Sequence, residues 1–75
     1  MMQKITFKDM IDTANAFADS GMRITKAGKA MHLSHSAVVH RLKLLHKETG
    51  LNPYNFYELR EILERYGGIE YGRFE

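Results

Sequence analysis

Thr25-Lys26-Ala27-Gly28-Lys29-Ala30-Met31-His32-Leu33-Ser34-His35-Ser36-Ala37-Val38-Val39-His40-Arg41-Leu42-Lys43-Leu44-Leu45-His46-Lys47-Glu48-Thr49-Gly50 is the stretch on which the fold turns. Thr25 is of the type that caps a helix, and residues 26–32 form a short one presenting Ala27, Ala30 and Met31. Leu33 and Ser34 interrupt it. Ser34 then caps a longer helix over 35–48, with Gly50 as its stop. At about 100° per residue, Val38, Leu42 and Leu45 of this longer helix share one side. Ser36, His40, Lys43 and Lys47 share the opposite side. Val39, His35 and His46 lie on one flank, and Ala37, Arg41 and Leu44 on the other. The longer helix therefore has an apolar face to pack and a polar, cationic face without an acid.

The flanking sequence supplies what that apolar face packs against. Thr6 caps a helix over residues 7–20, with Asp9 in capping-box position. Phe7, Met10, Ile11, Ala14, Phe17 and Ala18 recur at helical spacing, and Gly21 ends the run. After Gly50, Asn52-Pro53 breaks the chain, because proline disfavours helix in the residue before it. Asn55 with Glu58 makes a second capping box. Phe56, Leu59, Ile62, Leu63 and Tyr66 carry a fourth helix over 56–66 to Gly67-Gly68. The tail, residues 69–75, alternates weakly and could form a short strand paired with Gln3-Lys4-Ile5, in the manner of a winged helix. The expected fold is a single all-α, four-helix domain spanning residues 1–75, in which the second and third helices form a helix-turn-helix.

Charge is distributed unevenly along this frame. The formal net charge is only +2, yet no carboxylate occurs between Asp19 and Glu48. That gap holds Arg23, Lys26, Lys29, Arg41, Lys43 and Lys47 and all four histidines, His32, His35, His40 and His46. The rest of the chain sets five Lys/Arg against nine Asp/Glu. A basic middle between acidic ends is expected where one surface meets a polyanion and the remainder only folds and stays soluble. With 44% hydrophobic and 27% charged residues the chain is of ordinary globular type rather than disordered. The absence of cysteine excludes disulfides and thiolate metal sites. No stretch approaches the roughly 20 apolar residues of a membrane span, and Met1-Met2-Gln3-Lys4-Ile5 lacks the apolar run of a signal peptide, so a cytoplasmic, nucleoid-associated protein is expected.

A helix-turn-helix packs its second helix by one face so that the other can enter the DNA major groove, N-terminal residues deepest. His35, Ser36, Val39 and His40 fall at the base-facing positions, and Lys43 and Lys47 lie further along, toward phosphates or the groove wall. Ser36 and His40 can hydrogen-bond base edges, and an exposed Val39 could contact a thymine methyl. Arg23, Lys26, Lys29, Ser34 and Lys47 are assigned to backbone phosphates, together with the N-terminal amides of the two helices. Arg41 flanks the core and is expected to pair with Glu48 or an acid of the fourth helix.

The run Ala27 to Leu45 resembles the LysR-type helix-turn-helix. In that family an Ala-rich helix ends in Leu-x-Leu-Ser and continues into a helix with Ala-Val, an apolar residue four further on, and Lys-x-Leu. Here the matching residues are Met31-His32-Leu33-Ser34, Ala37-Val38, Leu42 and Lys43-Leu44-Leu45, and Ile24-Thr25 stands for the usual Phe-Thr entry. The second half is similar to the C-terminal helix-turn-helix of PucR/CdaR-type regulators, through His40-Arg41-Leu42, Leu45 and Thr49-Gly50-Leu51-Asn52. Both resemblances cover about residues 24–52 and imply a DNA-reading helix at 35–48, with His35, Ser36, Val39, His40 and Lys43 at base-facing positions. Both families join the module to a sensing or dimerising domain, which this sequence, ending at Glu75, does not supply, so no small-molecule effector is expected. The spacing before Ile24 is also one residue longer than the usual LysR pattern.

Other readings start from other residues. His32 and His35 straddle a helix break and His35 and His40 have no acid beside them, so the histidines do not make a zinc set, and no cofactor is expected. Enzymatic motifs are absent: no Gly-rich phosphate loop, no His-Glu-x-x-His, no paired acid and base on one face. The rival is a protein-interaction or adaptor module that uses the same helices for packing. Phe56 and Tyr66 are expected to fill the core, whereas Tyr54, Tyr57, Tyr71 and Phe74 suit a homodimer surface on the first helix, the fourth helix or the tail. The sequence reading thus favours a small bacterial or phage transcriptional regulator, most simply a repressor, binding double-stranded DNA as a homodimer. A DNA-packaging or recombination accessory protein of a phage or mobile element would use the same surface.

Overall fold

The structure is a computed structural model and describes residues 4–67. Four α-helices follow one another: α1 (Phe7–Asp19), α2 (Ile24–Met31), α3 (His35–Thr49) and α4 (Phe56–Ile62), the last continued by a π-helical turn over Leu63–Gly67. No strand occurs among the described residues. The strand expected over residues 69–75, with its partner Gln3, lies outside them.

The chain's start and stop signals account for most boundaries. Thr6 and Asp9 form a reciprocal capping box: the Asp9 amide donates to the Thr6 hydroxyl oxygen at 3.1 Å and the Thr6 amide donates to the Asp9 carboxylate at 3.0 Å. α1 ends in a Schellman arrangement, with the Met22 amide on the Phe17 carbonyl at 2.8 Å and the Gly21 amide on that of Ala18 at 3.1 Å. Gly21 takes the left-handed backbone (φ 75°) that this ending requires. Ser34 caps α3 by accepting the Ala37 amide at 3.2 Å, and Gly50, at φ 78°, closes it.

Two caps differ from expectation. α2 begins at Ile24, before Thr25, and its N-cap is Arg23, which makes no side-chain cap bond. The Ser20 hydroxyl sets this start. It accepts the Arg23 amide at 3.3 Å and donates to the Phe17 carbonyl at 2.9 Å, so the chain leaves the end of α1 already aimed into α2. The second capping box is half realised. Asn55 accepts the Glu58 amide at 3.1 Å, but the Glu58 carboxylate reaches past Asn55 to the Asn52 amide at 2.6 Å. The Asn55 amide is instead taken by the Asn52 carbonyl at 3.0 Å, which closes the turn around buried Pro53.

The core joins all four helices. Met10, Ile11, Ala14 and Phe17 of α1 meet Ala27 of α2, Val38, Leu42 and Leu45 of α3, and Leu59 and Ile62 of α4. Full burial of residues such as Phe17, Leu42, Leu45, Leu59 and Ile62 contributes roughly 1.5–3 kcal/mol apiece. Thr13 is buried among them. Its hydroxyl donates to the Asp9 carbonyl at 2.8 Å, which is how a polar residue is accommodated there.

The aromatic residues correct the sequence reading. Phe56 is 57% exposed and Tyr66 41% exposed, so neither fills the core. Leu59 and Ile62 take that role, and Phe56, one turn nearer the helix start, projects beyond the core's edge. Phe7, counted on the buried face of α1, is also exposed and stands edge-on to Tyr66, with ring centroids 5.3 Å apart.

Candidate nucleic-acid interface

α2 and α3 are joined by three residues, His32, Leu33 and Ser34. The His32 amide bonds the Lys29 carbonyl at 3.4 Å and the Leu33 amide bonds that of Gly28 at 2.8 Å, so α2 ends in the same way as α1. Gly28 is buried where α2 meets this turn. A Cβ on it would lie 2.7 Å from the Leu33 carbonyl oxygen and 3.5 Å from Cγ2 of Val38. α2 thus approaches the turn and α3 more closely than a side chain would permit. Half-buried Leu33 packs against the core, and Val38 is fully buried, which anchors the first turn of α3.

With α3 packed through Val38, Leu42 and Leu45, the helical repeat turns Ser36, His40, Lys43 and Lys47 to solvent, and all four are exposed. His35 and His46 are exposed beside them. Val39 is half-buried rather than open, because its flank is drawn toward the core, so a valine methyl group is offered there only in part. His40, Lys43, Leu44, His46 and Lys47 line a shallow groove of about 490 Å³ along the outer side of α3. Leu44 and His46 belong to opposite flanks of the helical wheel. A wheel shows direction alone and not which side chains bound a depression.

Arg23, Lys26 and Lys29 are exposed around α2, and with Lys43 and Lys47 they make five exposed cations in the carboxylate-free stretch. Among the described residues none of the five forms an ion pair. Ion pairs elsewhere include Lys8 with Asp12 (3.2 Å), Arg60 with Glu64 (3.2 Å) and Arg65 with Glu61 (2.7 Å), each between residues four apart and outside that stretch. A second groove is acidic in character: Asp12, Asn15, Asp19 and Ser20 of the α1 side, with Ala30 and Met31 of α2, border a volume of about 430 Å³.

Ser34 is engaged by its capping bond, which uses an oxygen lone pair and leaves the hydroxyl hydrogen free to donate, either to the Ser36 hydroxyl 3.4 Å away or to an external acceptor. Arg41 is half-buried and does not pair with Glu48 or an acid of α4. It lies instead near enough to Asp9 of α1 to act on its carboxyl. That carboxyl is held below the ordinary 3.8, first by hydrogen bonds from Thr6 and to a smaller extent by the charges of Arg41 and Lys8. The sixth cation of the stretch thus differs from the other five in being half-buried, with its charge felt at Asp9. Among the described residues no three His, Asp or Glu side chains gather to hold a metal ion, and no helix is long and apolar enough to cross a membrane.

No protein-family model, curated protein or solved structure matches the chain.

Proposed function

We propose that this chain binds double-stranded DNA through a helix-turn-helix made of α2 and α3, with α3 in the major groove, and acts as a small transcriptional regulator. Repression by occupying an operator is the simplest mechanism. One observation carries the reading: five exposed cations without an internal partner among the described residues lie on α3, on α2 and just before it, and the outward face of α3 also offers uncharged donors and acceptors. Unpaired surface cations attract phosphates, and Ser36 and His40 supply hydrogen bonds of the kind that read base edges. The dimensions agree. A helix about 10–12 Å across enters a groove about 12 Å wide. In this reading His35, Ser36, His40, Lys43 and the open part of Val39 face bases. Arg23, Lys26, Lys29, Ser34 and Lys47 hold the backbone.

The test is duplex binding by fluorescence anisotropy across a salt series, followed by selection of bound duplexes from a random library. Each neutralised phosphate contributes about 0.9 to the slope of log affinity against log salt, so the four cations assigned to the backbone give a slope of roughly −3.6 per protomer. Absence of binding at low salt, or binding indifferent to salt, would sink the proposal.

The active form in this reading is a two-fold homodimer, since paired half-sites compensate for the small contact of one module. Exposed Tyr54, Phe56 and Tyr57 are the described residues that suit such a contact; Tyr71 and Phe74 lie outside the described residues. The same aromatics favour the second reading, an adaptor, in which a different protein covers them. A palindrome among selected duplexes supports the dimer; a chain that ignores DNA but binds protein supports the adaptor.

A further inference from the structure

Two non-glycine residues among those described adopt left-handed backbone, Met22 (φ 64°) and His32 (φ 59°). Each follows a helix end, a place usually left to glycine because a Cβ is crowded in that conformation. Met22 has an evident compensation. It follows Gly21 in the ending of α1, and its half-buried side chain packs against the core. His32 has none. Its side chain is exposed and forms no hydrogen bond or ion pair among the described residues. The bonds that shape its turn, from its own amide to Lys29 and from the Leu33 amide to Gly28, use main-chain atoms that glycine also has. Histidine tolerates left-handed backbone better than most residues, but glycine adopts it with less strain, and no hydrogen bond or ion pair among the described residues uses the imidazole. Strain retained without structural return points to a function for the side chain.

The surroundings indicate which function. Exposed Lys29 lies one turn before His32 and exposed Ser34 and His35 lie just after it, while the α1 carboxylates Asp12 and Asp19 border the groove that Ala30 and Met31 line, a groove His32 itself does not line. The turn also stands off the end of α3, outside the run Ser36, His40 and Lys43 that would face base edges. We infer that the His32 imidazole binds a phosphodiester of the DNA backbone, donating a ring N–H to a phosphate oxygen beside Lys29. This inference rests on the DNA-binding reading above and adds to it a contact for which the backbone is strained.

The experiment compares wild-type chain with His32→Gly and His32→Lys, reading thermal unfolding and binding to both a selected and a random-sequence duplex. His32→Gly relieves the left-handed strain and is expected to raise the melting midpoint by roughly 2–5 °C, after allowance for glycine's freer unfolded chain. It is also expected to weaken binding to both duplexes by about three- to tenfold, the size of one lost contact. His32→Lys keeps the strain and supplies a cation, so it should retain binding without a rise in midpoint. Wild-type binding that His32→Gly fully preserves overturns this inference and leaves the DNA reading standing. A midpoint that falls in His32→Gly overturns it as well, because the imidazole would then be supporting the turn. If the wild-type chain binds no duplex at low salt, the DNA reading fails and this inference fails with it.

Discussion

Replacing Gly28 with alanine probes the contact on which the placement of α3 depends. In an exposed helix position Gly→Ala is stabilising, by about 0.8–1.0 kcal/mol of helix propensity. Here the added Cβ would stand 2.7 Å from the Leu33 carbonyl oxygen, about 0.7 Å inside ordinary contact, and 3.5 Å from Cγ2 of Val38. The obstructing atom belongs to backbone and cannot rotate away. Leu33 is further tied to Gly28 itself by the 2.8 Å amide bond, so moving the carbonyl disturbs the end of α2 and the entry to α3 together. Overpacking of this kind costs about 1–3 kcal/mol, which exceeds the propensity gain over most of its range. The net expectation is a loss of about 0.5–2 kcal/mol, or roughly 2–15 °C in melting midpoint for a domain of this length. Thermal and urea unfolding followed by far-UV circular dichroism measures it. Ala30→Gly, on the exposed side of the same helix, serves as the control and should cost only the propensity difference. A Gly28→Ala chain more stable than wild type would refute the close approach of α2 to the turn.

Gly50→Ala should destabilise by about 1 kcal/mol, since the position has φ 78° and no neighbour within 4 Å, so backbone strain alone acts there; urea unfolding measures it. Asp9 is hydrogen-bonded in its charged form and has a lowered pKa, so the stability it confers is present above the unfolded-state value near 3.8 and is lost as pH falls through the lower folded value. Thr6→Ala should reduce that acid-side loss, read as a flatter stability profile between neutral pH and pH 3. In the proposed DNA complex, Ser36→Ala or His40→Ala should relax sequence preference by about 1–3 kcal/mol at the affected base, whereas Lys47→Ala should weaken all duplexes alike and lower the salt slope by about 0.9. A His40→Ala chain with unchanged affinity and preference would show that the reading face lies elsewhere.

The aromatic residues mark where sequence reasoning stopped short. Periodicity places Phe56 and Tyr66 in the same series as Leu59 and Ile62, and a periodic pattern carries no information on how far along the helix the core extends. The core reaches Leu59 and Ile62 and no further toward Phe56. Arg41 shows the same limit for charge. Its place beside the apolar face was legible, but the acid it influences, Asp9, is 32 positions away and comes near only because α1 packs on α3. Thr25 failed as a cap for a local reason: the Ser20 hydroxyl had already organised Arg23, and α2 starts there.

By itself the amino-acid sequence determined the number of helices, their order, most of their ends and the composition of the face that α3 turns outward. These follow from short-range chemistry: capping hydroxyls and carboxylates, glycines that accept left-handed backbone, and a 3.6-residue repeat of apolar side chains. Tertiary structure alone decided that Gly28 is where α2 meets the turn, that Val39 is partly covered, that the Arg41 charge reaches Asp9, and that His32 takes left-handed backbone without a side-chain partner among the described residues. Each of these depends on distances between segments or on a backbone angle set by packing. Residue types and spacing along the chain do not encode such quantities.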